Sequence, residues 1–180
     1  GEAKGDTAWD AEAEGKKIAA YWDNDEYKSK IAAAMVESPV EMFNRCPARH
    51  TSPAAVYFLA PFLADGAGRL NSAMWKESYA FSGCGNDSAL NFIFEVGTQQ
   101  KVRLITALPG ESRASFILQR DALSNVNVSV HVHMKTACEN AVVVNTTVGK
   151  LENKQLVHTD PETVVAKTLW QEVWTVVACG

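Results

Sequence analysis

A chain of 180 residues is long enough to bury a core, either as one large domain or as two small packed ones. Its 47% hydrophobic and 21% charged residues are ordinary for a globular protein, and a net charge of −4 gives no electrostatic footprint for nucleic acid or an anionic membrane. No apolar run reaches bilayer-spanning length: the longest, Ala54–Ala64, contains Pro61 and is followed by Asp65-Gly66.

In chain order, Gly1–Asp10 is small, polar and charged and carries no signal peptide. A glycine ahead of Glu2-Ala3-Lys4 reads as what remains after a leader is removed, with a cytosolic protein as the alternative; export is the expectation, and the cysteines described below supply most of its weight. Thr7–Trp22 reads as a helix with Thr7 as N-cap. A second helix is predicted over Asp25–Val36, capped by Asn24, with Tyr27, Ile31, Ala34 and Met35 on one apolar stripe. Ser38-Pro39-Val40-Glu41 restarts a short helix as a capping box and delivers Cys46. Pro47–Pro53 is expected as a loop. Strands are predicted at Ala55–Leu59, Ala73–Ser82, Ala89–Val96 and Lys101–Ala107, the last three as a meander closed by Pro109-Gly110.

From Ser112 to Met134 the signals conflict. Val126–Met134 alternates and is β-branched, which reads locally as a strand. Leu123, Val126, Val130 and Met134 also fit a helical stripe, and the repeat described next favours a helix before Cys138. Val142–Val148 and Lys167–Ala178 are predicted strands, separated by a loop at Asp160-Pro161-Glu162.

An eleven-residue block occurs twice, as Trp75-Lys76-Glu77-Ser78-Tyr79-Ala80-Phe81-Ser82-Gly83-Cys84-Gly85 and as Trp170-Gln171-Glu172-Val173-Trp174-Thr175-Val176-Val177-Ala178-Cys179-Gly180. The offset is constant at 95 (170 − 75 and 179 − 84), and the preceding cysteines, Cys46 and Cys138, are offset by 92 (138 − 46). Trp and Cys are rare, so identity at Trp, Glu, Cys and Gly marks an internal repeat. Four cysteines without a C-x-x-C pair point to disulfides over zinc or thioredoxin chemistry. Three connectivities are open, and the duplication favours Cys46–Cys84 with Cys138–Cys179. Each bridge would tie a helix end to a strand end and contribute about 3–4 kcal/mol in the chain-entropy model.

The terminal block, Trp170–Gly180, together with Pro109-Gly110 and Leu118-Gln119-Arg120-Asp121-Ala122 ahead of a cysteine-bearing segment, resembles small secreted or periplasmic proteins of proteobacteria. These share a Trp-x-Glu-x-Trp-x-Val-x-x-Cys-Gly strand. The resemblance implies export and disulfides and implies no activity. Similar proteins continue into a further strand, whereas this sequence ends at Cys179-Gly180 and leaves the last strand's partner open.

The block has period two, which puts Glu77 and Glu172 on aromatic faces. A buried carboxylate there must be paired or hydrogen-bonded. The expected solution is an ion pair with a neighbouring Lys or Arg, or a place near the sheet edge; the functional alternative is a pair of site carboxylates. His131-x-His133 is the nearest approach to a metal pair, but a helix would splay the two rings by about 200°. No third ligand is nearby, so no metal site is assigned. No G-x-S-x-G and no phosphate-binding glycine loop is present.

The expected architecture is α+β: two related helix-plus-antiparallel-sheet half-domains, residues 1–110 and 111–180, packed together and disulfide-bonded. The expected function is a non-catalytic exported envelope protein, periplasmic or secreted, binding a protein or small ligand without cofactor, nucleic acid or membrane insertion. A periplasmic hydrolase using Glu77 or Glu172 with a histidine is the alternative, and an inhibitor or immunity protein a further one.

Overall fold

The computed structural model describes residues 22–40, 46–64, 70–83, 87–97, 101–134, 141–158 and 164–178, with Lys16 and Ala19 of a preceding helical stretch. The expected helix over Thr7–Trp22, the continuation of the Ser38 capping box and the loop at Asp160–Glu162 fall largely outside these residues. The fold is α+β, with helix α1 (Asp25–Glu37), strands β1 (His50–Ala64), β2 (Leu70–Ser82), β3 (Ser88–Val96) and β4 (Val102–Thr106), helix α2 (Phe116–Met134), and strands β5 (Ala141–His158) and β6 (Val164–Ala178). All pairings are antiparallel: a four-stranded sheet ordered β1-β2-β3-β4 and a two-stranded sheet, β5-β6.

Helix α1 begins where the sequence places it. Asn24 Oδ1 accepts from Glu26 N at 2.8 Å, and Asp25 and Glu26 put negative charge in the first turn, where the helix dipole favours it. Its stripe of Tyr27, Ile31 and Ala34 is buried against the first sheet. Among the described residues five of the six strands are longer than expected, because pairing extends past the hydrophobic runs that mark them, while β4 is shorter, keeping Val102–Thr106 of the expected Lys101–Ala107. The segment expected as a loop up to Pro53 is already β1 from His50, which pairs with Ser82. Proline is tolerated there because β1 is an edge strand, and register shifts follow both Pro53 and Ala60.

The inner face of the first sheet is mostly aromatic. Trp75, Phe81, Phe92 and Phe94 are fully buried, and Trp75 stacks on its register partner Phe94 with ring centres 5.0 Å apart and planes 13° from parallel. Val144 of β5 belongs to this cluster and Val177 of β6 packs against it, so the two sheets share a core.

The conflict in Ser112–Met134 resolves as helix from Phe116. Ser115 Oγ accepts from Leu118 N at 3.3 Å and caps the start. As a helix the segment divides its valines: Val126 and Val130 turn inward, while Val128 and Val132 stand outward, 63% and 64% exposed. A strand would have put all four on one face.

Residues 107–112 stitch the two sheets together. Ala107 N donates to Asn91 O at 2.9 Å, Gly110 N to Ala89 O at 2.7 Å, and Glu111 N to Thr146 O at 2.8 Å. Asn91 fixes the crossing, its Nδ2 donating to the carbonyls of Leu108 and Gly110, both at 2.8 Å. Gly110 has φ +88°, and a Cβ there would lie 2.2 Å from Thr146 O, so glycine is required by conformation and by space. Among the described residues no helix is long and apolar enough to cross a membrane.

Candidate functional site: two clamped carboxylates and a groove

Glu77 lies on β2 with 2% of its surface exposed. Alternation puts Trp75 and Tyr79 on the same face two residues to either side, and both reach it: Trp75 Nε1 donates to Oε1 at 2.7 Å and Tyr79 Oη to Oε2 at 2.6 Å. The start of the helical layer supplies two more donors. Trp22 Nε1 donates to Oε1 at 2.9 Å, and the Tyr27 hydroxyl donates to Oε2. Among the described residues this corrects the expected ion pair: the donors bound to Glu77 there are two indole N–H groups and two phenols, all uncharged. Burial, reinforced by hydrogen bonding to Glu77, raises the pKa of both Tyr27 and Tyr79 far above the usual phenol value.

Glu172 on β6 repeats the local geometry. Trp170 Nε1 donates to Oε1 at 2.8 Å and Trp174 Nε1 to Oε2 at 3.0 Å. The remaining donors come from the approach to α2: Ser112 Oγ at 3.0 Å, Arg113 N at 2.7 Å and Ala114 N at 3.3 Å. Partial burial raises the pKa of Glu172, but the hydrogen bonds from Trp174, Arg113 N, Trp170 and Ser112 outweigh it and hold the carboxyl below its ordinary value. In both strands, then, Trp-x-Glu-x-aromatic is a clamp. The strand's own aromatics grip the carboxylate, which in turn grips the backbone or side chains leading into a helix.

The histidines lie elsewhere. His131 and His133 are exposed on α2, and His133 Nδ1 sits 2.8 Å from Ser129 O of its own helix. Among the described residues no histidine is hydrogen-bonded to either glutamate. Among the described residues no group of three His, Cys, Asp or Glu is arranged to hold a metal ion. Cys46 is not a free thiol, and its Sγ lies 3.3 Å from Gly83 O; Cys84, Cys138 and Cys179 lie outside the described residues.

A feature that sequence reasoning did not locate residue by residue is a groove of about 650 Å³ between β4 and α2. One wall is β4, through Arg103 and Ile105; the other is one stripe of α2, Phe116, Gln119, Arg120, Leu123 and Asn127, with Val142 of β5 alongside. The helical stripe read from the sequence was a different one, Leu123, Val126, Val130 and Met134, of which Leu123 lines this groove. Gln119 anchors the floor, its Oε1 accepting from Leu108 N at 3.1 Å and its Nε2 donating to Ala114 O at 2.9 Å. A smaller cavity under α2 is lined by Glu172, Trp174 and Val126, with no histidine in its wall. No family model, curated protein or solved structure matches this chain.

Proposed function

We propose that this is a non-catalytic exported protein that binds a ligand or a partner segment in the boundary groove. One observation carries the reading: a cavity of about 650 Å³, mostly apolar with a few convergent polar side chains, opens between β4 and α2. That size and lining suit a binding site, and junctions are where such sites concentrate. The two glutamates support it from the other side. Each carboxylate is occupied by donors of its own fold, and none of the donors to Glu77 exchanges protons near neutral pH, as a general acid–base partner would. The hydrolase reading therefore ranks second, and an inhibitor or immunity role becomes a choice of partner for the same groove.

We further infer that the two parts are related half-domains, 1–110 and 111–180, working in the periplasm or outside the cell. The helix caps Asn24 and Ser115 are offset by 91 (115 − 24), close to the 92 of the cysteines and the 95 of the blocks. Each glutamate clamps the approach to a helix in the same sense. The Sγ of Cys46 beside the residue that precedes Cys84 supports a Cys46–Cys84 bridge, and the repeat extends this to Cys138–Cys179. The likeness of Trp170–Gly180 to proteobacterial envelope proteins points the same way.

A thermal-shift survey of small ligands tests the binding reading. Compounds that raise the Tm of the wild type and not of Leu123→Arg support it. Turnover of an ester, peptide or glycoside that is abolished by Glu172→Gln yet untouched by Leu123→Arg would overturn it.

A further inference from the structure

The second face of the first sheet carries a cavity of its own. Alternation turns Met74, Lys76 and Ser78 of β2 away from the aromatic core, with Asn91 and Ile93 of β3 beside them. The chain from Ala107 onward crosses this face, held by Asn91. Between the strands and the crossing lies a cavity of about 280 Å³, with Leu59, Met74, Ile93, Leu108 and Phe116 as its apolar walls. Most polar groups of the lining are spent within the fold: Asn91 on the Leu108 and Gly110 carbonyls, Ser112 on Glu172, and Gln119 on Leu108 N and Ala114 O.

Lys76 is the exception. It is the one cation of this lining and is half-buried, and among the described residues its Nζ makes no hydrogen bond or ion pair. Nζ lies 4.4 Å from the ring centre of Tyr57, its register partner on β1. Glu111 on the crossing and the Tyr57 ring favour the ammonium, while burial favours the free amine and takes the pKa below the ordinary lysine value. Further along the same face, Glu95 of β3 is paired with Arg103 of β4. With Glu111 already opposing its charge, Lys76 gains little from an anion. A free amine beside apolar walls is instead a nucleophile for a carbonyl.

We propose that this cavity captures a small apolar aldehyde as an imine of Lys76, with the hydrocarbon chain against Ile93, Leu108 and Phe116. The amine lone pair attacks the carbonyl carbon and the C–N bond forms. The carbonyl oxygen takes up the two amine protons and leaves as water, and C=N replaces C=O. Nothing is oxidised or reduced, and hydrolysis returns the aldehyde. Leu108, Phe116 and Gln119 also border the groove between β4 and α2, but capture at Lys76 does not depend on binding there.

Hexanal and formaldehyde, each trapped with cyanoborohydride and mapped by peptide mass, test this on the wild type. At limiting aldehyde and neutral pH, hexanal should modify Lys76 at least about tenfold faster than the exposed Lys28 and Lys101, because a bound chain holds its carbonyl near the amine. Formaldehyde has no chain to place and should show a smaller preference. The pH of half-maximal reaction should be lower for Lys76 than for Lys28. Ala114→Phe, which fills the cavity, should reduce the hexanal preference to that of formaldehyde, with circular dichroism checking the fold. Hexanal modification of Lys76 no faster than of Lys28 and Lys101, or a coincident pH profile, would overturn the reactive amine. An equal preference for Lys76 with both aldehydes in the wild type would overturn capture by the cavity.

Discussion

A carboxylate buried among indoles and phenols is an expensive choice unless every acceptor site is used, and Glu77 uses them with four donors. Removing it should therefore cost more than its own bonds. Glu77→Ala would strand Trp22, Tyr27, Trp75 and Tyr79 without their acceptor, and a loss of about 3 kcal/mol or more is expected in urea unfolding. The phenols give this site a pH signature. Their folded pKa values are raised, so their contribution is fully present below the unfolded phenol value of about 10 and is lost as pH rises beyond it. Tyrosinate absorbance should accordingly show Tyr27 and Tyr79 ionising only as the protein unfolds in alkali; smooth titration of all four tyrosines in the native state would contradict the clamp. Glu172 has the opposite sign. Its folded pKa is depressed, so its contribution is present above the ordinary carboxyl value and fades as pH falls through the folded one. Glu172→Gln should flatten the acid limb of the stability curve.

At the scale of elements, the helix before Cys138 is where local preference and context part. Val126, Val128, Val130 and Val132 favour a strand by propensity, and the fold makes them helical because one stripe of α2 finds a surface to cover. A peptide of residues 112–134 should therefore show little helix in water by circular dichroism, with Ser115→Ala costing the intact protein about 1 kcal/mol. The sequence allowed this outcome through the duplication, since α1 precedes Cys46 as α2 precedes Cys138. It also exposed both glutamates, through their place between two aromatics at strand spacing. It did not reveal their partners. Trp22 and Tyr27 lie 55 and 50 residues from Glu77, and Ser112 lies 60 from Glu172, and no local pattern records contacts across such distances. The length of β1 was hidden for a different reason: Pro53 and Pro61 read as breaks, and only an edge position makes them compatible with a strand.

At the scale of the whole molecule, two sheets are joined by a short crossing that tolerates little change. Gly110→Ala would combine a strained positive φ with contact against the Thr146 backbone, and a destabilisation of the order of 2–3 kcal/mol is expected in urea unfolding. The same junction forms the groove, so a change at Gly110 should also alter binding there, which Glu77 variants that still fold should not. The proposal that remains to be tested is a unit used twice: a helix, a cysteine, a strand, and a Trp-x-Glu strand followed in sequence by the second cysteine. Proteolytic mapping of the unreduced protein tests this most directly. The account predicts an intact mass lighter than the reduced chain by four hydrogens, with Cys46 linked to Cys84 and Cys138 linked to Cys179. Links crossing between the two halves, or free thiols at Cys138 and Cys179, would contradict it.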